Sequence, residues 1–203
     1  MKKRLVIGIS GSSAPIYGIR LLEALGKKTE IETHLILSES AETTLQLETH
    51  DWTRARVEAL VKHVHSPLNL AASISSGSFQ TAGMVVIPCS MKTLGQIAHS
   101  TGGDLLARAA DVTLKEHRPL ILVPRETPFH LGHLRNMVAA TEIGATILPP
   151  IPAFYHHPKT IDDLINHTVG KVLDLLHIDH HLFHRWEGSN ASKKNTPDKK
   201  RAR

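Results

Sequence analysis

The chain has 203 residues, 41% of them hydrophobic and 4% aromatic, enough for one domain with a full core. No apolar run has the length of a membrane-spanning helix, and one cysteine, Cys89, excludes an internal disulfide and fits a reducing cytoplasm. The net charge of +5 sits in residues 189–203, where six basic residues meet one acid; the remainder carries 18 of each, so a nucleic-acid surface is not expected and 189–203 reads as a solvated, disordered tail.

The predicted elements alternate strand and helix. Residues 4–9 form an apolar strand. The basic start resembles a secretion signal, but its apolar part is too short and runs into Gly11-Ser12-Ser13. Residues 15–25 are helical, with Pro15 in the tolerated first turn. A second strand covers 33–37, and helices cover 41–47 and 53–62. A third strand, 84–87, stops at Pro88. Helices follow at 94–99 and 104–116, then a fourth strand at 120–123. A helix at 131–143 ends at Gly144, a C-cap candidate. The fifth strand, 145–148, is closed by Pro149-Pro150, and 161–176 is the last helix. Short, continuously apolar strands are buried on both faces. Alternating with helices, they predict a doubly wound α/β fold, a mostly parallel sheet in a flavodoxin-like or Rossmann-like three-layer arrangement. One domain is expected over residues 1–188.

In such a sheet, ligands bind outside the carboxyl ends of the strands. Four loops rich in small or hydroxyl residues are expected there: Gly8-Ile9-Ser10-Gly11-Ser12-Ser13, the position Ser38, Cys89-Ser90-Met91-Lys92-Thr93, and residues 73–78. Small residues let backbone amides approach an anion, and each hydroxyl also reads as a plain helix cap. The first loop lacks the third glycine of a dinucleotide fingerprint, and no P-loop lysine follows. The second strand ends without the acid that binds an NAD ribose, so flavin mononucleotide fits better. Residues 108–126 are expected to aim Arg108, Lys115 and Arg125, with Glu126, at one crevice, which suits a phosphate and a proton transfer. Glu48 and Lys171 read by default as surface charges. Tyr155 lies in a rigid loop, 152–158. His177, His180, His181 and His184 fall at i, i+3, i+4 and i+7, a metal-ligand spacing on one helical face, with no fixed acidic partner; adventitious metal binding is the better reading.

Taken together, six motifs in order carry a resemblance. They are Gly-x-Ser-Gly-x-Ser from Gly8, Pro-Cys-Ser-x-Lys-Thr from Pro88, and Arg-Ala-Ala-Asp-Val-x-Leu-Lys-Glu from Arg108. Pro-Arg-Glu-x-Pro from Pro124, Pro-x-Phe-Tyr-His from Pro152, and Arg185-Trp186 complete the set. The chain resembles the UbiX flavin prenyltransferases, including members once described as phenolic acid decarboxylases, over about residues 4–188. The resemblance implies a homo-oligomer, dodecameric in the family, that binds reduced FMN and dimethylallyl phosphate. It implies transfer of the prenyl group to flavin N5, ring closure at C6, and delivery of prenylated FMN to a UbiD-type decarboxylase, all without a metal. On the matching positions, Gly11, Ser12, Ser13, Ser38, Ser90, Met91, Lys92, Thr93 and Arg125 resemble the FMN contacts. Lys115, Arg125, Tyr155 and Lys171 resemble the phosphate clamp, with Tyr155 and Lys171 reaching across a subunit interface. Ser13, Glu48 and Glu126 resemble the proton-handling residues, Lys115 joins them as catalytic, and Arg108 and Trp186 match further substrate positions.

Two positions depart from the family pattern. Ala14 stands for its usual glycine, and Lys171 stands where arginine is more frequent, which keeps the charge but not the bidentate geometry. Two other readings use the same residues: an FMN-dependent cysteine decarboxylase, whose substrate segment is missing from 152–158, and a flavin carrier without chemistry.

Overall fold

The computed structural model describes residues 2–186 and 188. The basic tail expected at 189–203 lies outside them. The element order is β1 (Lys3–Ile9), α1 (Ile16–Gly26), β2 (Ile31–Leu37), α2 (Glu39–Glu48), α3 (Arg54–Glu58) and β3 (His63–His65). A 3-10 turn (Ser73–Ser75) leads to β4 (Gly83–Cys89), α4 (Met91–Ala98), α5 (Leu105–Lys115), β5 (Leu120–Pro124), α6 (Leu131–Glu142), β6 (Ala145–Ile147) and α7 (Ile161–Leu175).

All pairings are parallel, in the order β3-β2-β1-β4-β5-β6. The expected α/β architecture is therefore present, with six strands in place of the five predicted. The additional strand is β3, a three-residue edge strand held by pairing His34, Leu35 and Ile36 with His63, Val64 and His65. Without it the order is that of flavodoxin-like sheets; with it, the Rossmann order.

Side chains alternate across the sheet. Leu5, Ile7 and Ile9 join α1, α2 and α7 in one core, while Val6, Met84 and Val86 join α4, α5 and α6 in the other. The order in which strands are added reverses between β1 and β4, and that reversal opens a crevice at the carboxyl edge. Strand β4 does not stop at Pro88, as predicted, but continues to Cys89 through a register shift against β5. The missing N–H is tolerated because the Pro88 carbonyl is used instead, accepting the Ser10 amide at 3.2 Å. Gly144 follows the last turn of α6 with φ +106°, where only glycine is comfortable.

Candidate active site

Three loops meet at the β1/β4 reversal. Ser10 is buried, donates its hydroxyl to the Pro88 carbonyl at 3.0 Å, and accepts the Ser90 amide at 2.7 Å. Ser12 donates to the Arg125 carbonyl at 2.7 Å, which draws in the segment after β5. The Ser38 amide donates to the Ile9 carbonyl at 3.1 Å. Any side chain on Gly11 would collide with Ser40, so only glycine lets the first loop lie against the start of α2.

Ser38 and Ser90 both cap helices, accepting the amides of Ala41 at 3.1 Å and Thr93 at 3.2 Å. Each cap satisfies one amide, and the helix starts still favour an anion. Thr93 Oγ1 accepts the Ser90 hydroxyl at 3.0 Å. Ser38, Ser40, Ser90, Lys92 and Thr93 line a cleft of about 240 Å³. Arg125, Glu126, Phe129 and Ile151 line a second cleft of about 390 Å³ after β5. Glu48 is not merely a surface charge. Its Oε2 accepts the Ala14 amide at 2.7 Å, which holds a carboxylate beside Ser13. Ala14 itself has φ +70°, in the left-handed region. Tyr17 lies near Arg125; burial pushes its phenol above the usual range, and hydrogen bonding to Thr168 and the Arg125 charge oppose this.

A second group gathers around α7. The Tyr155 hydroxyl lies 2.9 Å from His167 Nε2, and Trp186 packs edge-on against Tyr155 at 6.3 Å. His156 stacks on His167 at 4.8 Å. Burial, reinforced by the charges of His156 and Lys171, holds the His167 imidazole below the usual range. It is therefore neutral near pH 7 and able to fix the phenol. Lys171 Nζ lies 3.7 Å from Asp174.

Arg108 and Lys115 form a third group. Arg108 pairs with Asp111 at 2.9 Å and donates to the Ser75 carbonyl at 3.3 Å, while Lys115 pairs with Glu116. The single crevice expected for residues 108–126 does not exist within one chain. Helix α5 runs back against the strand direction, so its end carries Lys115 to the amino edge of the sheet. Arg125 leaves β5 at the carboxyl edge, a strand length of about 16 Å away. Residues 73–78 likewise lie along α5 and not at the carboxyl edge, because Ser75 and Gly77 contact Arg108, Lys115 and Arg118. The histidine series does not share a helical face. Helix α7 ends at Leu175 and His177 has φ +53°. An acidic partner is present after all: Asp174 lies 3.0 Å from His180 and is also gripped by Arg185.

Sequence reading named Ser10 only as part of the first loop, without a role of its own, and passed over His167. Ser10 had a signal, a small polar residue between Gly8 and Gly11 at the end of an apolar strand. His167 had none, since its partner Tyr155 lies twelve residues away across a loop.

Comparison with known proteins follows the same lines. The Flavoprotein family model matches residues 1–173. The flavin prenyltransferase UbiX of Escherichia coli K12 is 58% identical over 189 residues, covering 92% of this chain and 100% of that protein. The flavin prenyltransferase UbiX of Thauera aromatica is 54% identical over 186 residues, covering 92% and 95%. Among solved structures, a dodecameric FMN-dependent UbiX-like decarboxylase from Escherichia coli O157:H7 superposes with TM-score 0.89 at 48% identity, covering 91% of this chain and 100% of that one. A UbiX protein in complex with FMN and dimethylallyl pyrophosphate superposes with TM-score 0.90 at 47% identity, covering 93% and 99%. A peptidyl-cysteine decarboxylase shares only the fold, with TM-score 0.61 at 14% identity.

Proposed function

This chain belongs to the UbiX family of flavin prenyltransferases, and from that premise we propose that it joins the dimethylallyl group of dimethylallyl phosphate to N5, then C6, of reduced FMN. The product, prenylated FMN, is passed to a UbiD-type decarboxylase. One observation carries the reading: Ser10 and Ser12 pin three loops at the sheet reversal, with Glu48 fixed beside Ser13.

The residues present suit a flavin phosphate. Gly11 permits close approach of the first loop, and capped helix starts at Ser38 and Ser90 favour the anion. When bound, the reduced flavin supplies the nucleophilic positions. Met91, Lys92 and Thr93 open α4 at the edge, and Arg125 adds a fixed charge. Lys115, Arg125, Tyr155 and Lys171 hold the substrate phosphate and stabilise the charge that develops as its C–O bond breaks. Phe129 and Ile151 line the cleft with exposed apolar surface, which would keep water from a developing allylic cation once a neighbouring subunit covers it. Glu126 takes the proton lost on ring closure, and Glu48 keeps Ser13 in place for proton transfer. Arg108 and Trp186 complete the substrate pocket.

The three groups lie apart in one chain, so we read the site as assembled between subunits of a homo-oligomer, with dodecameric order favoured by the dodecameric relative. One domain over residues 1–188 and a cytoplasmic setting belong to the same reading. Among the described residues, no helix is long and apolar enough to cross a membrane.

The test is anaerobic incubation of the protein with dithionite-reduced FMN and dimethylallyl phosphate, followed by mass spectrometry of the released flavin. A gain of one prenyl unit is expected. A parallel arm uses dimethylallyl diphosphate, the donor type held by the solved relative. Unmodified flavin in both arms, with FMN bound and the protein folded, overturns the reading.

A further inference from the structure

Among the described residues, a concentrated set of unassigned ligating groups lies away from the carboxyl edge, on β2 and β3 beside the start of β1. Glu32 and His34 project from the same face of β2, and the register places His63 of β3 beside His34. Glu32 Oε1 lies 3.2 Å from His34 Nε2 and 3.7 Å from His63 Nε2, and one ligand atom from each residue falls within 4.8 Å of the others. A tetrahedral ion with bonds of about 2.0–2.1 Å separates its ligand atoms by about 3.3 Å. The ligand atoms lie near that spacing, and a turn of the His63 ring is what remains to meet the geometry.

We propose that Glu32, His34 and His63 form a binding site for a zinc-class divalent cation, with a solvent molecule as fourth ligand. The proposal does not depend on the flavin reading.

The surroundings support it. His34 is 3% exposed, so one imidazole is fixed, and His65 Nε2 lies 3.0 Å from His34 Nδ1. A metal-ligating histidine commonly anchors its second nitrogen in this way, which sets the tautomer. In the metal-free chain, His34 Nε2 donates to Glu32, and His65 must donate to His34 Nδ1. With a cation bound, both tautomers reverse: His34 Nδ1 donates to His65, and the Nε2 lone pair turns to the metal.

Two features shape the site against other ions. Arg4 Nε lies 3.1 Å from the same Glu32 oxygen and packs over Phe79. That fixed cation weakens the pull of Glu32 on any dication, and calcium and magnesium, which depend on carboxylate oxygens, lose more by it than metals that imidazoles hold. The His34 and His63 rings stack at 4.5 Å with 13° between their planes. Near-parallel rings cannot aim in-plane lone pairs at one point, so His63 must turn. It is free to do so, since its side chain is 46% exposed.

The experiment uses the full untagged chain, stripped with chelator and titrated with zinc against a chromophoric competitor. One equivalent per chain is expected, together with a rise in melting temperature of at least about 3 °C at saturation. Cobalt in place of zinc is expected to give the intense visible bands of a tetrahedral site, and X-ray absorption on the zinc form two imidazoles. His63→Ala and Glu32→Gln are each expected to weaken binding at least tenfold, and His65→Ala about 10- to 100-fold. A triple His180→Asn, His181→Asn, His184→Asn control is expected to bind normally. Absence of a stoichiometric equivalent overturns the proposal. So does binding lost in the triple control but kept in His63→Ala, or an octahedral, oxygen-only spectrum.

Discussion

Replacing Ala14 by glycine isolates one local strain in the flavin-edge loop. Ala14 has φ +70°, and its amide is held by Glu48 at 2.7 Å, so the residue cannot relax without breaking that bond. A residue with a Cβ pays about 1–2 kcal/mol in the left-handed region. Glycine removes that penalty but loses about 0.5–1 kcal/mol more backbone entropy on folding. The difference is a net gain of about 0–1.5 kcal/mol for Ala14→Gly. In a chain of this size it corresponds to a rise of up to about 6 °C in melting temperature. The assay is a thermal melt at fixed protein concentration, because assembly also shifts the midpoint. Ala14→Val belongs in the same series and is expected to melt lower, since a branched side chain tolerates positive φ poorly. A melting temperature that falls in the glycine variant, or rises with valine, would refute a left-handed Ala14.

Glu48→Ala removes the acceptor of the Ala14 amide and is expected to destabilise by about 0.5–1.5 kcal/mol, with Glu48→Gln recovering most of it in the same melts. Burial pushes the Cys89 thiol well above its usual range, so the native protein should resist a thiol reagent for hours and react with one equivalent once unfolded; rapid native labelling would contradict the burial. Hydrogen bonding to Arg185, aided by His180 and opposed by burial, holds the Asp174 carboxyl below the usual range. A depressed carboxyl contributes stability above its unfolded value, near 3.9, and loses it as pH falls through the folded one. The segment around His180 and Arg185 should therefore loosen below about pH 4. Trp186 emission in a Trp52→Phe background would report this, and emission unchanged from pH 5 to pH 3 would count against it. Lys171→Arg should preserve or raise prenyl-transfer turnover, because a guanidinium grips phosphate with two donors; a large loss would show that the site is shaped to the ammonium.

The legible parts of the fold were those encoded locally. Strands β1, β2, β4 and β5 are short apolar runs buried on both faces, and they read as such. Edge strand β3 did not. His63-Val64-His65 has no apolar run, and its extended form comes from pairing with β2, a non-local term. The site divided the same way. Glycine and serine at the ends of apolar strands mark loops at the carboxyl edge, and the loops of Gly11, Ser12, Ser38 and Ser90 do meet there. The separation of Lys115 from Arg125 was not visible, since the sequence distance of ten residues hides a reversal of direction between α5 and β5. The spacing of His177, His180, His181 and His184 misled for a related reason. A helical period has meaning only while the helix lasts, and α7 ends two residues before the first of them.

The cations that share no crevice within one chain have a property in common. Arg108, Lys115 and Lys171 each lean on an acid in their own chain: Asp111, Glu116 and Asp174. All three basic side chains are between 44% and 49% exposed, so these pairs contribute about 0–1 kcal/mol each. A pair that weak orients a long side chain without trapping it. Carboxylate and phosphate both make charge-assisted bonds to these cations, and such a bond is far stronger in a dry site than in these half-exposed pairs. The exchange from carboxylate to phosphate is therefore favourable only once another surface excludes water from the cation. On this account the acids keep the clamp residues solvated and clear of other anions in the free subunit. On the proposed reading, burial between subunits is then the step that brings Lys115 and Lys171 onto one phosphate with Arg125, and Arg108 into the adjoining substrate pocket.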